Sequence, residues 1–510
     1  MTDQLQLDSG MLQYVPKGAY YEDADEQFER VMSMWVNLFD YDRTLFCLTS
    51  MLSGTGFSKG AMTHMLLSNP QSITDMELVL EGLSFDYESK IIRYNLSKER
   101  TPRALKNLLM LSGGEKHSRV NNSKTRHIIL EFIFYRSHES LDNLAVNYKG
   151  KLKKLISHAL GKQDLYKILH GDQKLFDKWI GRYNQSAFSV MCYLFNKPIH
   201  ISKLTAHKTS TAYYKKIDQV LMLKVAAQTG DVKTFTTLMK GLPRLTVMGY
   251  RNTYKIPVDL SIVFEKSKVG ARQSLQMEAA AKRSGTKIKV NYKNQDIYDL
   301  WKALYFKLQT GDLENRDKIV DAIDYQGTKK EKINIGDVTV VIDASKSMQG
   351  SDQRPMHPFL TSLSILSILD NIMSVIYVGG KNIKVNKVLN AVIPSDGSDL
   401  WRGLIDAVLT NAKKILVISD GYENSPKGMF NHIYKHFKDS GYNFELLHIN
   451  PVFSADSQQG SVRRLADDVK PLPVSSYKYL ETEIIFNRMI ENRDTVKQLL
   501  IGKYNKLIGG

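Results

Sequence analysis

The feature that most constrains this chain is the stretch from Asp337 to Gly350, DVTVVIDASKSMQG. Val338, Val340, Val341 and Ile342, with Thr339 among them, form a short β-branched run. A run of that length suits a central parallel strand covered on both faces. It stops at Asp343-Ala-Ser345-Lys-Ser347, a D-x-S-x-S loop of one carboxylate and two hydroxyls. In open α/β sheets ligands sit just beyond the carboxyl ends of the strands, where this loop would lie. Oxygens alone, with no Cys or His close by, suit a small hard cation such as Mg²⁺.

Two later segments have the same character. Ser398 and Asp399, in SDGSDLWRGL, occupy a polar glycine-containing turn just before a helical pattern. Asp420, in KILVISDGYEN, ends the apolar run Ile415 to Ile418 and is followed by Gly421. Loops at the ends of neighbouring strands can converge on one ion. With these residues in this order the segment resembles a von Willebrand factor A domain with its metal-ion-dependent adhesion site. Matched by position, Asp343, Ser345 and Ser347 correspond to the first loop and Asp420 to the third. Ser398 stands where that family usually has Thr, which keeps the hydroxyl and loses the methyl that orients it.

At 510 residues the chain is too long for one ordinary domain. No apolar run of about 18 residues occurs, so no membrane span is expected. The start MTDQLQLDSGMLQ has neither the basic nor the apolar region of a secretory signal. Cys47 and Cys192 form no metal or redox spacing and read as buried small hydrophobes in a reducing cytoplasm. The net charge of +17 is uneven: residues 335–510 hold 20 Lys and Arg against 18 Asp and Glu, and residues 1–334 hold 50 against 35. Such asymmetry points to a polyanionic partner, usually nucleic acid, or to a solvated basic surface.

From about Asp25 to Asp324 the apolar period is helical almost throughout, as in 25–52 and 127–137. Breaks fall at Asn69-Pro70, Thr101-Pro102, Gly113-Gly114, Gly171-Asp172, Gly230-Asp231 and Gly311-Asp312. Many helices of roughly 10–18 residues joined by short loops suggest degenerate HEAT-like pairs, with a globular bundle as the alternative. The expected layout is an α-helical HEAT-like repeat domain over 1–330, followed over 335–510 by a doubly wound α/β domain. A last helical stretch, 479–508, has Ile484, Ile485, Met489, Val496, Leu499 and Leu500 at docking positions.

Candidate nucleic-acid contacts lie in three basic stretches. Residues 98–126 carry Arg103, Lys116, Arg119, Lys124 and Arg126 around a glycine- and asparagine-containing loop. Lys149, Lys151, Lys153 and Lys154 follow Tyr148, and on a helix Lys151, Lys154 and His158 would share one face. Uncompensated like charges disfavour an isolated helix, a cost that a phosphate backbone offsets through counterion release. The third stretch, 179–216, mixes Lys and Arg with Tyr183, Tyr213, Tyr214, His200 and His207. Aromatics beside cations can stack unpaired bases.

A basic helical-repeat region followed by one A-type domain resembles the Ro autoantigen, or TROVE-domain, family of RNA-binding proteins. DASKSM, DGSDL and ISDGYEN carry the resemblance, with RYNQSAFSVMCYLFNKPIHISKLTAHK as its local match in the helical part. On that match His200, Lys203, His207 and Lys208 become RNA-contact candidates. The resemblance implies a ring of repeats, closed by the A domain, that binds small Y-type RNAs and the single-stranded 3′ ends of structured RNA. It also implies an exoribonuclease partner such as polynucleotide phosphorylase. No Walker loop, G-x-S-x-G elbow or H-E-x-x-H motif appears, so a binding protein is expected rather than an enzyme. The rival readings are a protein scaffold whose A domain recruits a carboxylate-bearing partner through a bound cation, a metal hydrolase and an assembly protein.

Overall fold

The computed structural model describes residues 10–13, 23–69, 82–113, 118–197, 214–268, 274–275, 278, 290–312, 314–351, 354–384, 390–397, 399–423, 426–451 and 463–509. The chain has a helical N-terminal part and a C-terminal parallel sheet flanked by helices. Eleven helices of seven residues or more lie among the described residues from Ala24 to Thr253.

Local capping sets the helix ends. Gly230, at φ 71°, closes Lys215–Thr229 in the left-handed conformation that glycine adopts without strain. The next residue, Asp231, accepts the Thr234 amide at 3.0 Å and starts Val232–Leu238. A two-residue turn thus ends one helix and begins the next. The 25–52 stretch, helical by period throughout, is two helices, Ala24–Tyr41 and Arg43–Thr49. Asp42 breaks it, because its carboxylate accepts the Leu45 amide at 2.8 Å and favours a cap over helix interior. The long helix His138–Leu169 departs from helical geometry at Tyr148 and Gly161, so the lysine run 149–154 begins at a kink.

Five strands make the sheet: β1 Val338–Asp343, β2 Ile372–Val378, β3 Lys414–Ile418, β4 Glu445–Asn450 and β5 Pro471–Pro473. Their order is β2-β1-β3-β4-β5, and every pairing is parallel. All six residues of β1 are buried. Val338, Val340 and Ile342 enter one core, and Val341 enters the core on the opposite face. The first of these cores includes His357–Leu366 and Ile297–Gln309; the second includes Leu400–Leu409 and Met429–Asp439. From β1 the chain adds β2 on one side and then crosses to add β3 on the other. Loops leaving β1 and β3 therefore part company and open a crevice at the carboxyl ends of these strands.

Packing does not follow chain order. Ile297–Gln309 and Arg316–Lys329 bury their apolar faces against the sheet. The last helices, Leu480–Glu491 and Arg493–Leu507, contribute Ile485, Phe486, Val496, Leu500, Ile501 and Tyr504 to the N-terminal helical core. Of the expected docking positions, Ile485, Val496 and Leu500 lie in that core, Ile484 packs against the sheet's core, and Leu499 is exposed. The Met489 side chain lies outside the described residues. Polar contacts fix the same seam: Gln13 donates to the Pro473 carbonyl at 2.7 Å and accepts the Ser475 amide at 2.9 Å. Thr482 donates to the Ser53 carbonyl at 2.8 Å, and Lys497 pairs with Asp42 at 3.1 Å. No helix among the described residues is long and apolar enough to cross a membrane.

Candidate metal centre and nucleic-acid interface

Asp343 ends β1 and Asp420 follows β3, which places both carboxylates at the crevice where the strand order reverses. Asp343 is fully buried, with one oxygen accepting the Ser345 amide at 2.9 Å and the other accepting the Ser419 hydroxyl at 2.8 Å. The Ser345 and Ser347 hydroxyls lie 2.8 Å apart, Ser345 buried and Ser347 exposed at the mouth. Asp420 accepts the Tyr422 amide at 3.0 Å, and its carbonyl accepts the Asn450 amide group at 3.0 Å.

The second loop lies against the first. The Lys346 amide donates to the Asp396 carbonyl at 2.8 Å, and the Ser395 amide donates to the Ala344 carbonyl at 3.0 Å. Gly380 makes this approach possible: a Cβ there would sit 2.6 Å from the Val392 side chain and 3.0 Å from the Ala344 Cβ. Ser398, the second-loop hydroxyl, lies outside the described residues. Asp399 is half-exposed and pairs with Arg402 at 3.3 Å.

Burial, with the charge of Asp420 adding to it, pushes the Asp343 carboxyl up to about 6. Burial also pushes Asp420 up to about 6, against the pull of the Ser347 hydroxyl and the Arg463 guanidinium. Two buried carboxylates at one crevice disfavour their charged forms. A cation between them would reverse that. Asp343, Ser345, Ser347 and Asp420 offer oxygen only, a donor set that fits Mg²⁺ completed by water. Among the described residues no group of three or more His, Cys, Asp or Glu comes together, so hydroxyls and water would supply the remaining ligands.

Ser419 is the residue sequence reasoning missed. Its hydroxyl donates to Asp343 and accepts the Gly421 amide at 3.0 Å, so it orients the first loop from the third. The only signal was a polar residue at the end of an apolar strand, Ile418-Ser419-Asp420. His448, fully buried beneath it, bonds the Ser419 carbonyl at 3.1 Å through Nε2.

The basic candidates divide by environment. Lys124 pairs with Glu88 at 3.1 Å, beside Arg43 on the same carboxylate at 2.6 Å. Arg119 donates to the ring and the carbonyl of His158, each at 3.1 Å. His158 is buried and bonds the Val120 carbonyl at 2.9 Å, so it does not share an exposed face with Lys151 and Lys154. Burial also lowers its pKa. Arg103 pairs with Glu99 at 3.5 Å, and Arg126 lies 5.5 Å over the Trp179 ring. Tyr214, expected to stack on bases, is buried and bonded to Ser186. Lys116, His200, Lys203, His207, Lys208 and Tyr213 lie outside the described residues.

The second stretch keeps its charges available. Lys149 lies 4.2 Å over the Tyr193 ring and donates to Asn196 at 2.8 Å, and Lys153 lies 5.7 Å over Phe195. Lys154 is exposed and Lys151 half-buried. None of the four pairs with a carboxylate among the described residues. Burial, with Lys153 and Lys224 nearby, lowers the Lys149 pKa. No protein-family model matches the chain, and no curated protein sequence matches it.

Proposed function

We propose that this chain is an RNA-binding protein of the Ro type, with HEAT-like helices as the RNA surface and an A-type α/β domain joining their ends. The observation that carries the reading is the uncompensated cluster of Lys149, Lys151, Lys153 and Lys154 beside the Tyr193 and Phe195 rings. Cations without acidic partners attract a phosphate backbone, and aromatic faces beside them receive unpaired bases. Small structured RNAs and single-stranded 3′ ends are the substrates this reading expects. Its role is binding rather than catalysis. Asp343, Ser345, Ser347 and Asp420 would hold Mg²⁺, with Ser398 as the second-loop hydroxyl and Ser419 orienting Asp343.

A structured RNA with a single-stranded 3′ tail, and the same RNA blunt-ended, would be titrated at two salt concentrations. The reading expects tail-dependent binding that weakens steeply with salt and is lost when the four lysines become Glu. Binding that ignores salt, or survives that charge reversal, refutes it. A second reading rests on the exposed Ser347 hydroxyl at the crevice mouth: a cation held there would present an open position to a carboxylate of a protein partner. An exoribonuclease is one such partner. Pull-down that needs Mg²⁺ and fails in Asp420→Asn would favour it.

A further inference from the structure

Between the helices Tyr87–Lys98 and Ser123–Phe134 lies a cavity of about 360 Å³, lined by none of the basic residues singled out from the sequence. Its size falls at the small end of ligand pockets, roughly 300–1,000 Å³. Leu96 and Ile128, both buried, supply an apolar floor. Arg93 donates through Nε to both oxygens of Glu131 at 3.0 Å, which leaves its two outer nitrogens without a partner among the described residues. Arg136 donates through Nε to the Phe132 carbonyl at 2.9 Å, and its guanidinium lies 4.6 Å over the Phe132 ring. Tyr135 stands at the rim with 74% of its surface exposed.

The lining holds two Arg and two Glu, and both carboxylates are already paired. Glu131 is taken by Arg93, and Glu99 pairs with Arg103 at 3.5 Å. Arg136 has no carboxylate partner among the described residues, although partial burial disfavours its charge. A partly buried guanidinium over a ring, with its outer donors unused among the described residues, is suited to an anionic oxygen group. Exposed Tyr135 and the Arg planes offer faces for a flat heterocycle, and Glu131 with the Arg93 donors offers an edge for its polar atoms.

We infer that this cavity binds one nucleoside monophosphate unit, its base against Tyr135 and Arg93–Glu131 and its phosphate on Arg136. The unit comes either from a free nucleotide or from an unpaired residue of an RNA strand. In the second case the inference rests on the RNA reading and adds a base-binding site to it.

Calorimetric titration of the full chain with AMP, GMP, adenosine and inorganic phosphate tests the site. One saturable site for AMP or GMP is expected, weakened about tenfold or more by loss of the phosphate or by Arg136→Ala. Tyr135→Ala, at an exposed position that the fold does not need, should weaken it as well. The Lys149→Glu, Lys153→Glu variant should leave it unchanged. A single-stranded RNA carrying 2-aminopurine distinguishes the sources. Emission quenched on binding and restored in Tyr135→Ala identifies a strand residue as occupant. Saturable AMP binding with unaltered RNA emission identifies the free nucleotide. No saturable binding of AMP or GMP, with emission insensitive to Tyr135→Ala, overturns the inference, as does AMP binding unchanged by Arg136→Ala. Failure of the RNA reading would appear separately, as loss of salt-sensitive binding to the tailed RNA.

Discussion

Lys59 should make the helical core more stable as pH rises. It lies in Gly56–Ser68 with only 8% of its surface exposed, and it forms no ion pair among the described residues. Burial lowers its pKa from 10.5 to about 8; Glu99 opposes the change, and the charges of Arg103 and Lys503 add to it. The folded pKa lies below the unfolded one, so between about pH 8 and 10.5 the unfolded chain binds more protons, and stability rises with pH through that window. A tenfold change in proton affinity is worth about 1.4 kcal/mol, which puts the penalty for the charged form at roughly 3 kcal/mol at pH 7. Lys59→Met removes it, because an apolar side chain of similar length carries no charge to desolvate. Urea unfolding followed by far-UV circular dichroism, for both proteins at pH 7, 8, 9 and 10, isolates the Lys59 contribution from groups the two share. The variant should be more stable by about 3 kcal/mol at pH 7, with the gap closing as pH approaches 10.5. A gap that stays constant, or widens with pH, refutes the reasoning.

Other perturbations test other parts of the molecule. Mg²⁺ at 100 times its dissociation constant should stabilise the chain by about 2.7 kcal/mol, an effect that Asp420→Asn or chelation abolishes in a thermal melt. Without Mg²⁺, Asp420→Asn should melt no lower than the native chain, since it removes one of two like charges and keeps an acceptor for the Tyr422 amide. Phe486→Ala empties a fully buried ring site 6.4 Å from Trp35 and should lower unfolding free energy by about 3–5 kcal/mol; a loss below about 1 kcal/mol would mean the C-terminal helices do not share the N-terminal core. Asn122→Ala removes the cap that accepts the Thr125 amide at 2.9 Å and donates to the Leu67 carbonyl at 2.7 Å, at a cost of about 1–2 kcal/mol in urea unfolding.

What could be read from the sequence was set by short-range chemistry. The β-branched run Val338 to Ile342 suited a strand buried on both faces, with its end at the sheet's carboxyl edge, so the setting of Asp343, Ser345 and Ser347 was legible. Asp420 followed from the same logic one strand later. The break at Asp42 was not legible, because the apolar period runs through it and a side-chain cap won over the period locally. Ser419 was hidden for another reason: its partner, Asp343, is 76 residues away, and nothing local distinguishes a hydroxyl that orients a carboxylate from a turn residue.

Charge shows the same division more sharply. A basic stretch announces how much positive charge it holds, but its availability depends on acids that folding brings from elsewhere. Lys124 meets Glu88 from 36 residues away, which offsets its charge, whereas Arg119 is fixed by the neutral His158 from 39 residues away and stays exposed. Lys149 and Lys153 instead meet neutral rings after the Tyr148 kink. An aromatic face leaves a cation its charge, whereas a carboxylate cancels it. The surface that can attract a polyanion is therefore smaller than the chain's net charge suggests. It is concentrated where folding supplied rings rather than acids, and the cavity beside Arg136 repeats that arrangement with Phe132.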